Sequence, residues 1–224
     1  MSAPIVVFDL DGTLVDTAPD LIATLNAILV REGVPALPYA EARTLIGGGA
    51  KALLERGLAV RGQRVPQAET DRLFADFLAH YAEHIADRSK PFPGVERALD
   101  DLAAGGVHLA VCTNKLEGLS IKLLRALDLA RHFRAICGQD TFGVQKPDPT
   151  VLSRTIKAAG GDGGRAVMVG DSATDVATAR AAGVPIVAVN FGYTERPIEE
   201  FRPDRIIGHF SELTPAIADF IASR

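Results

Sequence analysis

Carboxylates and hydrogen-bond donors collect in this chain directly after apolar runs. Asp9-Leu10-Asp11-Gly12-Thr13 follows Ile5-Val6-Val7-Phe8, Thr113-Asn114-Lys115 follows Leu109 to Cys112, and Gly170-Asp171-Ser172, with Asp175 soon after, follows Val167 to Val169. Lys146-Pro147-Asp148-Pro149 opens a further segment between the last two. Residues two apart in a strand share a side, so Asp9 and Asp11 are expected to leave the first strand as a pair. Gly12 lets the backbone turn sharply behind them. Neighbouring carboxylates drive up one another's pKa unless a cation sits among them. A few hard oxygen ligands with room for water suit Mg²⁺. Thr113, Asn114 and a lysine are then donors for phosphate oxygens. An Asp can attack phosphorus and form an aspartyl phosphate, a second Asp can protonate the leaving alkoxide and later deprotonate water, and cation and lysine offset charge on the transferring group.

Such a constellation needs elements whose ends converge. Ile5 to Leu10 reads as a strand buried on both faces of a parallel sheet. A helix follows, with Thr17 as N-cap, Asp20 at the reciprocal position and Leu21, Leu25, Ile28 and Leu29 at helical spacing. To about Lys90 the pattern stays helical: Ala40 to Leu45, Lys51 to Leu58, and a stripe of Leu73, Phe74, Phe77, Leu78, Tyr81 and Ile85. Beyond Pro91-Phe92-Pro93-Gly94 the segments alternate. They are helix Val95 to Ala104, strand Leu109 to Cys112, helix Leu116 to Leu127, strand Ala135 to Cys137 and helix Pro149 to Ala159 with Asp148 as its cap. Strand Val167 to Val169, helix Thr174 to Ala182, strands Ile186 to Val189 and Arg205 to Ile207, and a last helix from Ser211 follow. The expected class is α/β, a doubly wound (Rossmann-like) parallel sheet of residues 1–15 and 91–224. Residues 16–90 are expected to be an inserted all-helical domain. Ligands of such sheets bind outside the strands' carboxyl ends, where the motifs above lie.

Composition narrows the classes further. The 224 residues are 47% hydrophobic and 23% charged, which argues for a soluble globular chain. A net charge of -4 supplies no basic field for nucleic acid or an anionic membrane. No apolar run approaches spanning length, and no secretory leader is read. Two cysteines are too few for a disulfide framework and suit a reducing compartment, so a cytoplasmic location is expected. Cys112 and Cys137 read as packed thiols.

Together the motifs Asp9-Leu10-Asp11-Gly12-Thr13-Leu14-Val15, Thr113-Asn114, Lys146-Pro147-Asp148-Pro149 and Gly170-Asp171-Ser172-Ala173-Thr174-Asp175 resemble the haloacid dehalogenase superfamily, in its phosphatase branch with a helical cap. The resemblance implies that Asp9 is the nucleophile, Asp11 the general acid/base, and Lys146 a catalytic residue. It implies that Asp9, Asp11 (through its backbone carbonyl) and Asp171 hold Mg²⁺, with Asp175 closing the shell directly or through water. Thr113, Asn114 and Lys146 would bind the phosphoryl group. Dehalogenases of the superfamily lack a carboxylate at the Asp11 position, so its presence favours phosphoryl chemistry.

Arg43 to Ala50, Leu53 to Leu58 and the passage from Tyr81 to Gly94 are similar to the cap of phosphoglycolate phosphatases, whose loop more often reads Gly-Asn-Gly where this chain has Gly47-Gly48-Gly49. Arg43 or Lys51 could meet a substrate carboxylate or lie on a solvated helix face. Lys115 is expected to face solvent, Asp140 to lie near the active edge, and His80 and His84 to be partly exposed. The expected activity is Mg²⁺-dependent hydrolysis of a small anionic phosphate monoester, 2-phosphoglycolate foremost, by a monomer or homodimer. Another phosphatase, a pyrophosphatase or a sugar-phosphate mutase on the same core, and a regulatory binding protein on the same fold, are the alternatives.

Overall fold

The computed structural model describes residues 3–161, 163–194 and 196–222. Contacts divide the chain into one unit of residues 1–16 and 90–224 and a second of residues 17–89.

In the first unit short apolar runs form the central strands, and their burial on both faces explains why they read as continuous rather than alternating. The strands are β1 (Ile5–Phe8), β2 (Val15–Asp16), β3 (Lys90–Pro91), β4 (His108–Cys112), β5 (Ala135–Cys137), β6 (Ala166–Gly170), β7 (Ile186–Val189) and β8 (Arg205–Ile207). Six of them make one sheet in the order β5-β4-β1-β6-β7-β8, with every neighbouring pair parallel. Phe8 stands level with Val111 of β4 and Val169 of β6. The three motifs that follow these residues therefore leave the sheet at one edge. Helices α5 (Val95–Ala104), α6 (Glu117–Ala126), α7 (Pro149–Ala158), α8 (Ala173–Ala182) and α9 (Leu213–Ile221) connect or follow the strands. Val151, Leu152 and Ile156 of α7 and Val176 and Ala179 of α8 join Val7, Ala110, Met168 and Ala188 of the sheet in one core cluster. The α/β class is the expected one.

The second unit contains α1 (Ala18–Arg31), α2 (Tyr39–Arg43), α3 (Ala50–Val60) and α4 (Gln67–Glu83). On α4 the stripe buries Leu73, Phe77 and Tyr81, with Ile85 just beyond its end, at about 1.5–3 kcal/mol for each large apolar side chain. No helix among the described residues is long and apolar enough to cross a membrane.

The local structure departs from the sequence reading at several points. β1 ends at Phe8, not Leu10, because Leu14 N and Val15 N both bond Leu10 O and pull the chain into a turn. Asp9 and Asp11 thus do not leave as a strand pair. Val15–Asp16 and Lys90–Pro91 pair antiparallel, a two-residue ladder too short to carry a period. Thr17 does not cap α1, and its hydroxyl oxygen is buried without a hydrogen-bond partner among the described residues. Asp20 instead accepts from Arg88 N, Ser89 N and Ser89 Oγ, joining the two ends of its own unit. A single helical turn, Phe210–Glu212, precedes α9.

Candidate active site

At the shared strand edge, buried carboxylates surround one ammonium. Lys146, 3% exposed, directs Nζ to Asp9 Oδ1 at 2.9 Å and to Asp175 Oδ1 at 2.7 Å. Burial acts to lower the Lys146 pKa, but Asp175 and Asp9 outweigh it and hold the ammonium above its usual range. Asp9 follows β1 directly, its own N–H bonding Val169 O and its Oδ1 accepting from Leu10 N at 2.7 Å. Burial, with Asp175 adding repulsion, pushes its pKa up to about 6 against the pull of Lys146. Asp171, just past β6, accepts from Thr13 Oγ1 at 3.0 Å and Tyr193 N at 2.7 Å. Burial first, then Asp175 and Asp9, push it up to about 8. Asp175 lies in the first turn of α8, where it and Ser172 form a reciprocal capping box. Its Oδ2 accepts from Ser172 N and Oγ, so both of its oxygens are engaged.

Ligand atoms of Asp9, Asp171 and Asp175 lie within 4.8 Å of one another. Oxygen-only donors, buried and crowded together, fit a hard divalent cation. The bonds that Asp171 receives from Thr13 and Tyr193 come from neutral groups, which leaves its charge to such an ion. No histidine belongs to this cluster. His84 bonds Asp87 and His80 bonds Thr24 in the helical unit. Cys112 and Cys137 are buried free thiols with raised pKa, Cys112 to about 12, because burial disfavours the thiolate.

All three side chains of Thr113-Asn114-Lys115 make bonds that the motif does not announce. Asn114 closes a reciprocal pair with the Lys146 backbone, donating Nδ2 to Lys146 O at 3.0 Å and accepting Lys146 N at 2.9 Å. It therefore positions the lysine-bearing loop, alongside the phosphoryl contact expected of it. Thr113 is buried, and its hydroxyl accepts Lys115 N. Lys115 does not face solvent. Its side chain is 6% exposed and its Nζ grips both oxygens of Asp11, at 3.0 and 3.2 Å. The carboxylate of Asp11 thereby stands outside the three-Asp cluster, and its exposure of 24% leaves it open to a ligand. Asp140 is exposed and accepts Glu117 N at the start of α6, which makes it a helix cap.

The sequence reading missed Gly192 and Tyr193. A Cβ on Gly192 would come within 2.2 Å of Asp171 Oδ2, and one on Gly12 (φ +84°) within 2.4 Å of the same atom. Tyr193 adds its hydroxyl to Asp16 Oδ1 at 2.5 Å. The available signal was positional: Asn190-Phe191-Gly192-Tyr193 follows the carboxyl end of β7, as the other motifs follow theirs.

In the helical unit, Gly47, Gly48 and Gly49 all have positive φ. Arg56 Nη1 donates to Leu45 O and Gly47 O and so braces that turn. Arg43 is exposed, and Lys51 is paired with Asp71 at 2.7 Å with 41% of its side chain exposed.

Comparison with known proteins bears on the same residues. A family model described as haloacid dehalogenase-like hydrolase matches residues 6–189. A phosphoglycolate phosphatase of Mesorhizobium japonicum is 51% identical over 98% of this chain and 96% of its own. One of Caulobacter vibrioides is 47% identical over 97% of this chain and 92% of its own. A crystal structure titled as a predicted phosphoglycolate phosphatase from Haemophilus somnus 129pt superposes with a TM-score of 0.88 at 29% identity, covering 95% of this chain and 97% of that one.

Proposed function

This chain belongs to the haloacid dehalogenase-like hydrolases and is a phosphatase, and on that premise we propose that it converts 2-phosphoglycolate to glycolate and phosphate in the cytoplasm with Mg²⁺. The observation that carries the reading is the buried ammonium of Lys146 held between Asp9 and Asp175, with Asp171 beside them. Its support on the substrate side is the name shared by relatives that match over nearly the whole chain.

In this reading Asp9 is the nucleophile. Its Oδ1 is tethered by Leu10 N and Lys146 Nζ, and Oδ2 forms the bond to phosphorus as the ester P–O bond breaks. Asp11 gives its proton to the departing glycolate oxygen. It then takes a proton from the water that attacks phosphorus, and the Asp9–phosphorus bond breaks to release phosphate. Lys146, Thr113 and a donor of Asn114 hold the phosphoryl oxygens, and Lys146 neutralises charge that builds on them. Asp9, Asp171 and the Asp11 carbonyl would hold Mg²⁺, with Asp175 acting directly or through water; the ion would supply positive charge to the phosphoryl oxygens. Residues 1–15 and 91–224 perform the chemistry, and residues 16–90, with the Gly47–Gly49 turn, are assigned to substrate selection.

The test is a phosphate-release screen with Mg²⁺ over small monoesters, comparing kcat/KM for 2-phosphoglycolate with sugar phosphates and pyrophosphate. The highest value is expected for 2-phosphoglycolate. A sugar phosphate isomerised without phosphate release, or no release from any ester, defeats the reading.

A further inference from the structure

Lys115 is placed with more care than an ion pair to Asp11 requires. Its backbone is clamped by the loop that follows β5. Gln139 N donates to Lys115 O at 3.1 Å, and Asp140 takes the N–H of Glu117 two residues on. Gly138 is the residue that permits this approach: a Cβ there would lie 2.5 Å from Lys115 O and 2.3 Å from Glu117 N. The Thr113 hydroxyl accepts the Lys115 N–H from the other side. The result is an ammonium whose side chain is 6% exposed, set against a carboxylate that is 24% exposed and so reachable by a ligand.

A buried ion pair is a weak way to gain stability, since apolar side chains of similar volume do as well or better. Lys115 therefore calls for a ligand-based account. Lys146, paired with Asp9 and Asp175, is assigned to the phosphoryl oxygens, and Lys51 of the helical unit is half exposed and paired with Asp71. Lys115 stands on the leaving-group side, because it holds the residue that protonates the leaving oxygen.

We propose that Lys115 is a specificity-determining residue that receives a carboxylate on the substrate's leaving group. The inference rests on the phosphatase reading above and names what selects an acidic leaving group within it. In 2-phosphoglycolate the ester oxygen and the carboxylate carbon share one methylene carbon, so the nearer carboxylate oxygen lies about 3 Å from the ester oxygen by ordinary bond lengths. Nζ lies 3.0 Å from Asp11 Oδ1. When Asp11 hydrogen-bonds the ester oxygen, the same ammonium is within ion-pairing reach of that carboxylate. A neutral leaving group of the same length leaves the Lys115 charge without its second anion, and a site built for a charged group rejects a ligand that lacks it. An alcohol whose acid lies several carbons away does not present it at this position.

The test compares 2-phosphoglycolate with 2-hydroxyethyl phosphate, which has a hydroxymethyl group in place of the carboxylate. The unmodified enzyme is expected to prefer phosphoglycolate. Lys115→Met should lower kcat/KM for phosphoglycolate about 10²-fold more than for hydroxyethyl phosphate, mainly through KM, so that the preference collapses. Any loss common to both substrates reports the support that Lys115 gives Asp11. Lys115→Arg keeps the charge and should keep most of the preference; it also serves where the Met variant does not fold. Equal losses on both substrates in the Met variant, or equal loss of the preference in Arg and Met variants, overturn the assignment. An unmodified enzyme that hydrolyses hydroxyethyl phosphate but not phosphoglycolate defeats the substrate reading itself. Preference intact in both enzyme and Met variant defeats only the role of Lys115.

Discussion

The helical unit and the sheet unit treat charge in opposite ways. In the helical unit Arg72 pairs with Glu32, Glu69 and Asp76 at 2.9, 2.7 and 3.1 Å, with side chains 27–46% exposed. Solvent-screened pairs of that kind contribute little to stability. At the strand ends Lys146 pairs with Asp9 and Asp175 with side chains only 0–12% exposed. Desolvating such groups is expensive, and a fold gains little from it. One buried carboxylate of the helical unit clarifies the contrast. Asp20, 2% exposed, takes its bonds from backbone N–H groups and one hydroxyl. A buried acid surrounded by donors is structural, whereas buried acids facing one another need something from outside the chain.

Substitutions can break or sharpen that contrast. The largest effect is expected from Asp9→Asn, which removes the proposed nucleophile and relieves repulsion in the cluster. Phosphate release should fall at least about 10³-fold while circular dichroism and the urea midpoint stay near those of the parent. Activity within tenfold of the parent would remove Asp9 from the chemistry.

Lys146→Met comes next, with Lys51→Met as its counterpart in the helical unit. The first should lose about 10²–10³-fold in kcat and about 3 kcal/mol in stability, because it leaves two buried acids unpaired. The second should leave the urea midpoint close to that of the parent. Urea unfolding of the two variants compares them directly, and equal costs would erase the distinction.

Asp20→Ala should cost about 1–3 kcal/mol by leaving Ser89 N and Arg88 N without their acceptor, read as a lower urea midpoint. Its kcat on 2-phosphoglycolate under folding conditions should stay within a few-fold of the parent. A kcat loss approaching that of Asp9→Asn would place Asp20 among the reacting groups.

The smallest effect concerns pH. His132 of the sheet unit has a side chain 6% exposed and a buried Nε2 with no hydrogen-bond partner among the described residues. Burial lowers its pKa below the usual value of 6.5. The unfolded chain then binds the proton more readily than the folded one. Stability from the neutral imidazole is present above about pH 6.5 and is lost as pH falls through the lower folded value. His132→Leu should flatten the stability profile between about pH 7 and 5. An unchanged slope in paired urea titrations would show that His132 is not the group responsible.

Element types and the motif residues were legible because they depend on short-range patterns. Ile5-Val6-Val7-Phe8 is a buried strand by composition alone, and the α4 stripe repeats at helical spacing. Asp9 and Asp171 could be singled out because each directly follows a strand, and Lys146 because it stands before Pro147-Asp148-Pro149, which opens a helix. The Thr17 cap failed although Thr17 directly precedes α1, because its expected reciprocal partner, Asp20, found donors 68 and 69 positions away. Lys115 was misplaced for a related reason. A lysine after a strand end looks solvated until its partner is known.

The amino-acid sequence by itself determined the α/β class, the strand-end location of the candidate carboxylates and the reaction type, since each follows from local periodicity and residue chemistry. Only the tertiary structure decided the pairings. Lys115 meets Asp11 across 104 positions, Thr13 meets Asp171 across 158, and Tyr193 meets Asp16 across 177. A contact at such separation depends on strand order and register. Those are set by how the whole core packs, and no short segment of the chain encodes them.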